Sequence, residues 1–179
     1  SGGMLVTEDL ELARKARILA HQGREPGEVE YEHREIGFNY RLTNLQAALG
    51  LAQLERLPEF LAAKRRNAMV YQQKLQSVNG ISWQKEVSGA ESNWWLFSIL
   101  INKDIYGKSK EVIMNSLRNK GIQLRPLFKP IPLQRCYEQY SFSRCPVAED
   151  LYTKGFNLPS TTFLTQDDIN TVCENLLCG

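Results

Sequence analysis

The chain has 179 residues, 42% of them hydrophobic and 23% charged, enough to bury a sizeable core in one domain or in a small domain joined to part of another. A formal charge of +2, with Lys64, Arg65 and Arg66 as the densest basic run, excludes the basic stripe and interleaved aromatics of a nucleic-acid surface. No apolar stretch is long enough for a membrane span and no secretory signal opens the chain, so Cys136, Cys145, Cys173 and Cys178, without CxxC spacing or a nearby histidine, read as reduced thiols of a cytoplasmic protein and not as a zinc site.

In chain order, Met4 to Val6 reads as the end of a short strand. Thr7 can cap the helix that follows, with Glu8 and Asp9 in its first turn, where the helix dipole favours acids. Leu12, Ala16, Leu19 and Ala20 fall on one face, and Gly23 can close the helix. From Gly23 to Glu35 the charges, Pro26 and Gly27 predict a loop. Thr43 and Gln46 then have capping-box spacing, so a helix starts near Asn44, with Leu45, Ala48, Leu49, Ala52 and Leu54 on its apolar side. Asn39 and Arg41 lie just before that N-terminus, a setting that favours a phosphate or carboxylate. A capped helix beside an arginine that only packs or pairs on the surface is the plainer alternative. Pro58 predicts a break or kink, because proline lacks an N–H and crowds the preceding turn. The helical pattern resumes with Phe60, Ala63, Tyr71 and Leu75 and ends near Asn79 and Gly80, with Lys64 to Arg66 on a solvated face.

Trp94 to Ile101, WWLFSILI, predicts a strand buried on both faces, with Trp94 and Trp95 serving as core or interface anchors in preference to a base-stacking platform. Ser109 to Lys120 reads as a helix closed by Gly121, followed by a strand from Ile122 to Leu124. Cys145 to Lys154 reads as another helix, and Thr165 with Asp168 repeats the capping pattern ahead of Ile169, Val172 and Leu176. The sequence of elements is that of an α/β protein, its second part an antiparallel or mixed sheet covered by helices on one side.

The strip YEHREIGFNYRLTNLQAALGLAQLERL, Tyr31 to Leu57, resembles the DegT/DnrJ/EryC1/StrS family of pyridoxal-phosphate-dependent sugar aminotransferases. Before it, GGMLVTEDLELARKARILAHQG is similar to the family's strand and helix after the cofactor lysine. After it, NWWLFSILI, GIQLRPLFKPIPLQ, CPVAEDLYTKGFNLP and TQDDINTVCENL are similar, in the same order, to the family's small C-terminal domain. The resemblance implies the C-terminal part of an aspartate-aminotransferase-like (type I) fold. Residues 1–57 would end the large domain, 58–80 would form a bridging helix, and 81–179 a small α+β domain. It also implies that the lysine holding the cofactor lies just before the pair matched by Gly2 and Gly3, so that this chain alone is inactive. If Met4 is a start and Ser1 to Gly3 are foreign, the Gly-Gly match is accidental.

The resemblance assigns roles. Asn39 matches the asparagine that reaches across a dimer interface to the cofactor phosphate of the neighbouring subunit, a task its amide N–H donors suit. Arg41 would hold a carboxylate of the amino donor or a phosphate of a nucleotide-sugar, or else make a structural ion pair. Tyr40 would pack at the same interface with its hydroxyl near ligand. Arg125, Phe128 and Lys129 lie in LRPLFKPIP, similar to the segment that approaches the sugar; Pro132 stands where relatives commonly have histidine, which puts that contact in doubt. Phe128 offers a plane to sugar or base, and Lys129 either pairs with a diphosphate or is merely solvated. His33 matches a histidine ahead of the strip yet reads as a loop residue, and His21 as an ordinary helix-end residue.

The implied whole is a homodimer with its site at the subunit interface, taking nucleotide-sugar and amino-donor substrates, usually glutamate, in cell-surface or secondary-metabolite sugar biosynthesis, with no metal. Two readings stay open beside it: a related cofactor-dependent sugar dehydratase, with histidine in place of the lysine, and a non-catalytic dimerisation or regulatory module. In any of these, the apolar side of the Asn44 helix predicts self-association of the isolated chain.

Overall fold

Asp9, and not Thr7, caps the first helix, α1 (Leu10–Ala20): its carboxylate accepts the Glu11 and Leu12 N–H groups, while the Thr7 hydroxyl accepts the Asp9 N–H. A charged acceptor gains more from the positive helix end than a hydroxyl does. The structure, a computed structural model, describes residues 2–27, 29–140 and 144–178, so Ser1 of the opening and Glu28 of the charged loop lie outside the described residues. The chain divides into two compact units, Ser1–Leu57 and Pro58–Gly179.

In the first unit α1 closes through Gly23, whose φ of 76° lets its N–H bond the Ile18 carbonyl at 2.8 Å. Ile18 is the buried residue of α1, and Leu12, expected on the inner face, is exposed. Met4 to Val6 is also exposed and forms no strand, since no neighbouring strand pairs with it among the described residues. The capping box of α2 (Asn44–Glu55) is complete: Gln46 N–H donates to Thr43 Oγ1 at 3.3 Å, and Thr43 N–H donates to Gln46 Oε1 at 3.0 Å. None of its residues is buried, and Leu45 is 85% exposed. The helical stretch divides at Arg56, between α2 and α3 (Leu57–Leu75). Pro58 falls in the first turn of α3, where its missing N–H would have been unpaired in any case.

The second unit is built on α3 and a four-stranded antiparallel sheet. In chain order come β1 (Ile81–Trp83), β2 (Phe97–Ile101), the short α4 (Lys103–Tyr106), α5 (Lys110–Asn119), β3 (Arg125–Pro126), α6 (Pro146–Lys154), β4 (Gly155–Leu158) and α7 (Gln166–Cys178). The sheet order is β1-β2-β4-β3. Phe97 stands opposite Leu158 and Ile99 opposite Phe156, so these side chains share one face. That face closes over Tyr71 and Leu75 of α3, Ile113 and Leu117 of α5, and Ile169, Val172 and Leu176 of α7. Each such side chain contributes about 1.5–3 kcal/mol by burial. Cys173 of α7 is in the same core, and burial pushes its thiol up to about 11.

Polar residues fasten α3 to the chain after β4. Tyr71 Oη donates to the Pro159 carbonyl at 3.0 Å, Asn67 Nδ2 to that of Thr161 at 3.0 Å, and Lys64 Nζ to that of Ser160. Lys64 is therefore not part of a solvated face. Its spacing from Asn67, Ala68, Tyr71 and Leu75 puts it on the buried stripe of the helix, and the same burial lowers its pKa.

Two strand boundaries differ from expectation. β2 begins at Phe97 because Trp94 has a left-handed φ of 46°, and its residues alternate buried and half-buried, giving one dry face where two were expected. The strand after α5 falls at Arg125–Pro126, because Ile122 is used in closing the helix: its N–H bonds the Leu117 carbonyl at 3.0 Å beside Gly121, whose φ is 79°. The Thr165–Asp168 pair caps α7 as its spacing predicts, with bonds of 2.8 Å and 3.1 Å between each backbone N–H and the other's side chain. All four cysteines are free thiols.

Candidate functional site

A helix leaves its last carbonyls without internal partners, and in α1 those of Leu19 and Ala20 are taken by the strip that carries Asn39. Phe38 N–H donates to Leu19 O at 2.6 Å and Tyr40 N–H to Ala20 O at 3.0 Å; Gln22 N–H returns a bond to Phe38 O at 3.0 Å. His21 and Asn39 consequently face one another as an antiparallel bridge. Glycine makes the approach possible. A Cβ on Gly37 would stand 2.2 Å from the Gly23 nitrogen, and one on Gly23 would stand 1.8 Å from the Glu35 carbonyl oxygen. Ion pairs of α1 with the loop, Arg14 with Glu25 at 2.7 Å and Lys15 with Glu35, brace the same arrangement.

The strip lines an open recess of about 810 Å³ with Phe38, Asn39, Tyr40, Arg41 and Gln46. Phe38 and Tyr40 stack at 5.1 Å with their planes 16° apart. Arg41 Nη1 lies 3.3 Å from His21 Nδ1, so the imidazole must accept. Partial burial, and then the guanidinium charges of Arg41 and Arg24, lower the His21 pKa and keep the ring neutral for that role. His33 Nδ1, 2.7 Å from the Gln22 carbonyl, donates and so helps hold the loop. Among the described residues the Asn39 amide has no hydrogen-bond partner. An unengaged amide, a phenol and a guanidinium along one recess suit a phosphate or carboxylate carried by a planar ligand.

The other candidate residues lie in the second unit. Arg125 of β3 borders a cavity of about 550 Å³ together with Lys64, Trp95, Asn157 and Asp168. Asn157 is buried and satisfied, donating to Pro126 O at 3.3 Å and accepting from Ser98 Oγ at 2.6 Å. Phe128 is exposed and stacks on Trp95, ring centroids 6.5 Å apart. Lys129 is exposed, and its backbone carbonyl accepts from Gln134 Nε2 at 3.1 Å. Asn39, Tyr40 and Arg41 are thus brought together in one unit; in the other, Arg125 lines a cavity with Trp95, while neither Phe128, which touches Trp95 through its ring, nor Lys129 lines it. His21, expected as an ordinary helix-end residue, and Lys64, expected on a solvated face, instead hold Arg41 and the chain around Trp95 and Ser160. A signal existed for Lys64, its place on the α3 stripe; none existed for His21, whose role depends on a strip twenty residues away folding back.

The sequence model of the DegT/DnrJ/EryC1/StrS aminotransferase family matches residues 1–177. EpsN of Bacillus subtilis (strain 168) is 38% identical over 98% of this chain and 45% of its own length. The GDP-perosamine synthase of Escherichia coli O157:H7 is 35% identical over 98% of this chain and 46% of its own. Among solved structures, Helicobacter pylori PseC, an aminotransferase involved in the biosynthesis of pseudoaminic acid, superposes with a TM-score of 0.85 at 26% identity, over 96% of this chain and 47% of that one. The chain spans about half the length of the relatives it matches.

Proposed function

Because the chain belongs to the DegT/DnrJ/EryC1/StrS aminotransferase family, we propose that it is the C-terminal part of an enzyme that transfers an amino group from glutamate to a keto-sugar nucleotide. The reaction is assigned to the whole protein, of which residues 1–57 end a large domain, 58–80 bridge, and 81–179 form the small domain. The perosamine-synthase and aminotransferase names of the relatives support amino transfer over dehydration.

Aminotransferases of this family depend on pyridoxal phosphate. The residues present fit the phosphate end of that group: the Asn39 amide offers N–H donors that nothing else among the described residues engages, on a recess that also carries a cation. When bound, the cofactor supplies an electron sink for the carbon bearing the amine. Asn39 would donate to the cofactor phosphate of the neighbouring subunit in a homodimer. Arg41 would meet the carboxylate of the amino donor, its orientation fixed by the neutral His21 that accepts one of its protons. Tyr40, stacked on Phe38, would flank the ligand, and Arg125, Phe128 and Lys129 would approach the nucleotide-sugar.

The observation that carries this reading is the unengaged Asn39 amide, presented by the close approach of Gly23 and Gly37. The test is to incubate the protein containing this chain with glutamate and guanosine or uridine diphospho-keto-sugars. Release of 2-oxoglutarate matched by an aminated nucleotide-sugar in the mass spectrum is expected; loss of water from the sugar without 2-oxoglutarate would turn the assignment to a dehydratase.

A further inference from the structure

Asn157 of β4 is a buried polar residue in a sheet whose other face is dry, and its bonds run across the strands. Register sets the row: Asn157 stands directly opposite Ser98 of β2 on one side and Arg125 of β3 on the other, so the three share the face turned away from Phe97, Ile99 and Phe156. The Pro126 carbonyl can only accept, so the Asn157 amide must turn its N–H groups towards it, at 3.3 Å, and its oxygen towards Ser98, whose hydroxyl then donates at 2.6 Å. Gln84, one residue beyond β1, continues the row by accepting the Ser98 N–H at 2.8 Å and donating to the Leu96 carbonyl at 2.7 Å. Satisfied in this way, a buried polar row stiffens the strands that carry it.

The far end of the row is where stiffness is scarce. β3 is two residues long, lies at the sheet edge and contains Pro126, which has no N–H for the ladder. The side-chain bond from Asn157 to the Pro126 carbonyl adds, next to Arg125, a tie that so short a strand lacks. Arg125 makes no ion pair among the described residues and borders the cavity of about 550 Å³. An aspartate, which has the shape of asparagine, would stand within cross-strand reach of that guanidinium and engage it. The amide holds the strand and leaves the charge alone.

We propose that Asn157, aligned by Ser98, is the positioning residue of Arg125: it pins β3 through Pro126, while its neutrality leaves the guanidinium to the anionic part of the substrate. The proposal rests on the reading of Arg125 as a nucleotide-sugar contact and deepens it, since Asn157 touches no ligand and acts through the strand. The row governs affinity for the sugar substrate and not the handling of the amino donor, which falls to Arg41 in the other unit.

Two readouts on the protein containing this chain test it, calorimetric titration with GDP and UDP and steady-state amino transfer, in Asn157→Asp, in Ser98→Ala and in each combined with Arg125→Ala. Asn157→Asp should weaken nucleotide binding and raise KM for the nucleotide-sugar roughly ten- to a hundredfold, with kcat and the release of 2-oxoglutarate from glutamate in the absence of sugar unchanged. Ser98→Ala, which loses a single hydroxyl and decides the matter if Asn157→Asp does not fold, should weaken both by roughly two- to tenfold. With Arg125→Ala already present, neither substitution should have a further effect, an outcome that general damage to the sheet would not give. Unchanged affinity in Ser98→Ala, equal losses with and without Arg125, or no binding of either nucleotide overturns the positioning role. Nucleotide binding with this dependence but no amino transfer sinks the enzymatic reading and leaves the row; transfer with a KM indifferent to both substitutions does the reverse.

Discussion

Arg41 reaches across to His21, nitrogen to nitrogen at 3.3 Å, in a contact where only the arginine has a proton to give. The pair ties the strip carrying Asn39 to the end of α1 by side chains, alongside the backbone bonds of Phe38 and Tyr40.

The contact has a pH limit. The pKa of His21 is lowered in the fold from 6.5, so the folded state binds fewer protons than the unfolded one. Stability from the neutral ring is fully present above that unfolded value and is lost as pH falls through the lowered one. In an NMR titration the His21 ring should titrate below 6.5, and Arg41→Ala should move its midpoint up towards that value. An unchanged midpoint in the variant would show that Arg41 does not act on the ring.

Gly37→Ala should release the strip. Its new methyl would collide with backbone, the Gly23 nitrogen, and no side chain can swing away to make room. A cost of roughly 1–3 kcal/mol to the first unit is expected, with faster amide exchange at Phe38 and Tyr40. Gly50→Ala is the control: nothing lies within 4 Å of its Cβ, and in mid-helix the change should stabilise by about 0.5–1 kcal/mol.

The cap of α7 gives a second acid-sensitive element. Hydrogen bonds from the Thr165 hydroxyl and N–H hold the Asp168 carboxyl below its ordinary 3.8. Its contribution is complete above that ordinary value and disappears as pH drops through the lowered one. Asp168→Asn should therefore flatten the steepest acid part of the stability profile, while Thr165→Ala should cost about 1 kcal/mol at neutral pH in urea unfolding.

Sedimentation should show the chain self-associating at about micromolar concentration, through the exposed leucines of α2, on the scale of ordinary specific association. Leu45→Asp combined with Leu49→Asp should return it to monomer without changing the second unit. A wild-type chain that sediments as a compact monomer would remove α2 as the contact.

Local rules made much of this fold legible. Both capping boxes, the glycine at the end of α1 and the division near Pro58 follow from chemistry spanning a few residues. Apart from the local contest at the start of α1, what escaped depends on chain brought from far away. Thr7 loses the cap to Asp9 by a contest of two adjacent acceptors, and Met4 to Val6 has apolar residues but no strand beside it. Lys64 looked solvated because Arg65 and Arg66 follow it, although its carbonyl partner Ser160 arrives ninety-six residues later. Of the candidate site, Asn39 and Arg41 are singled out by their place before a capped helix and, with Tyr40, by resemblance, whereas the contact of His21 with Arg41 exists only where the folded chain puts it.

Cys173 turns the second unit into its own stopwatch. Three thiols, Cys136, Cys145 and Cys178, are exposed, and the fourth is sealed on the inner side of α7 and kept protonated by burial. An alkylating reagent should mark the outer three in the native protein, and the slow arrival of a fourth adduct in the mass spectrum then times how often α7 lifts from the core.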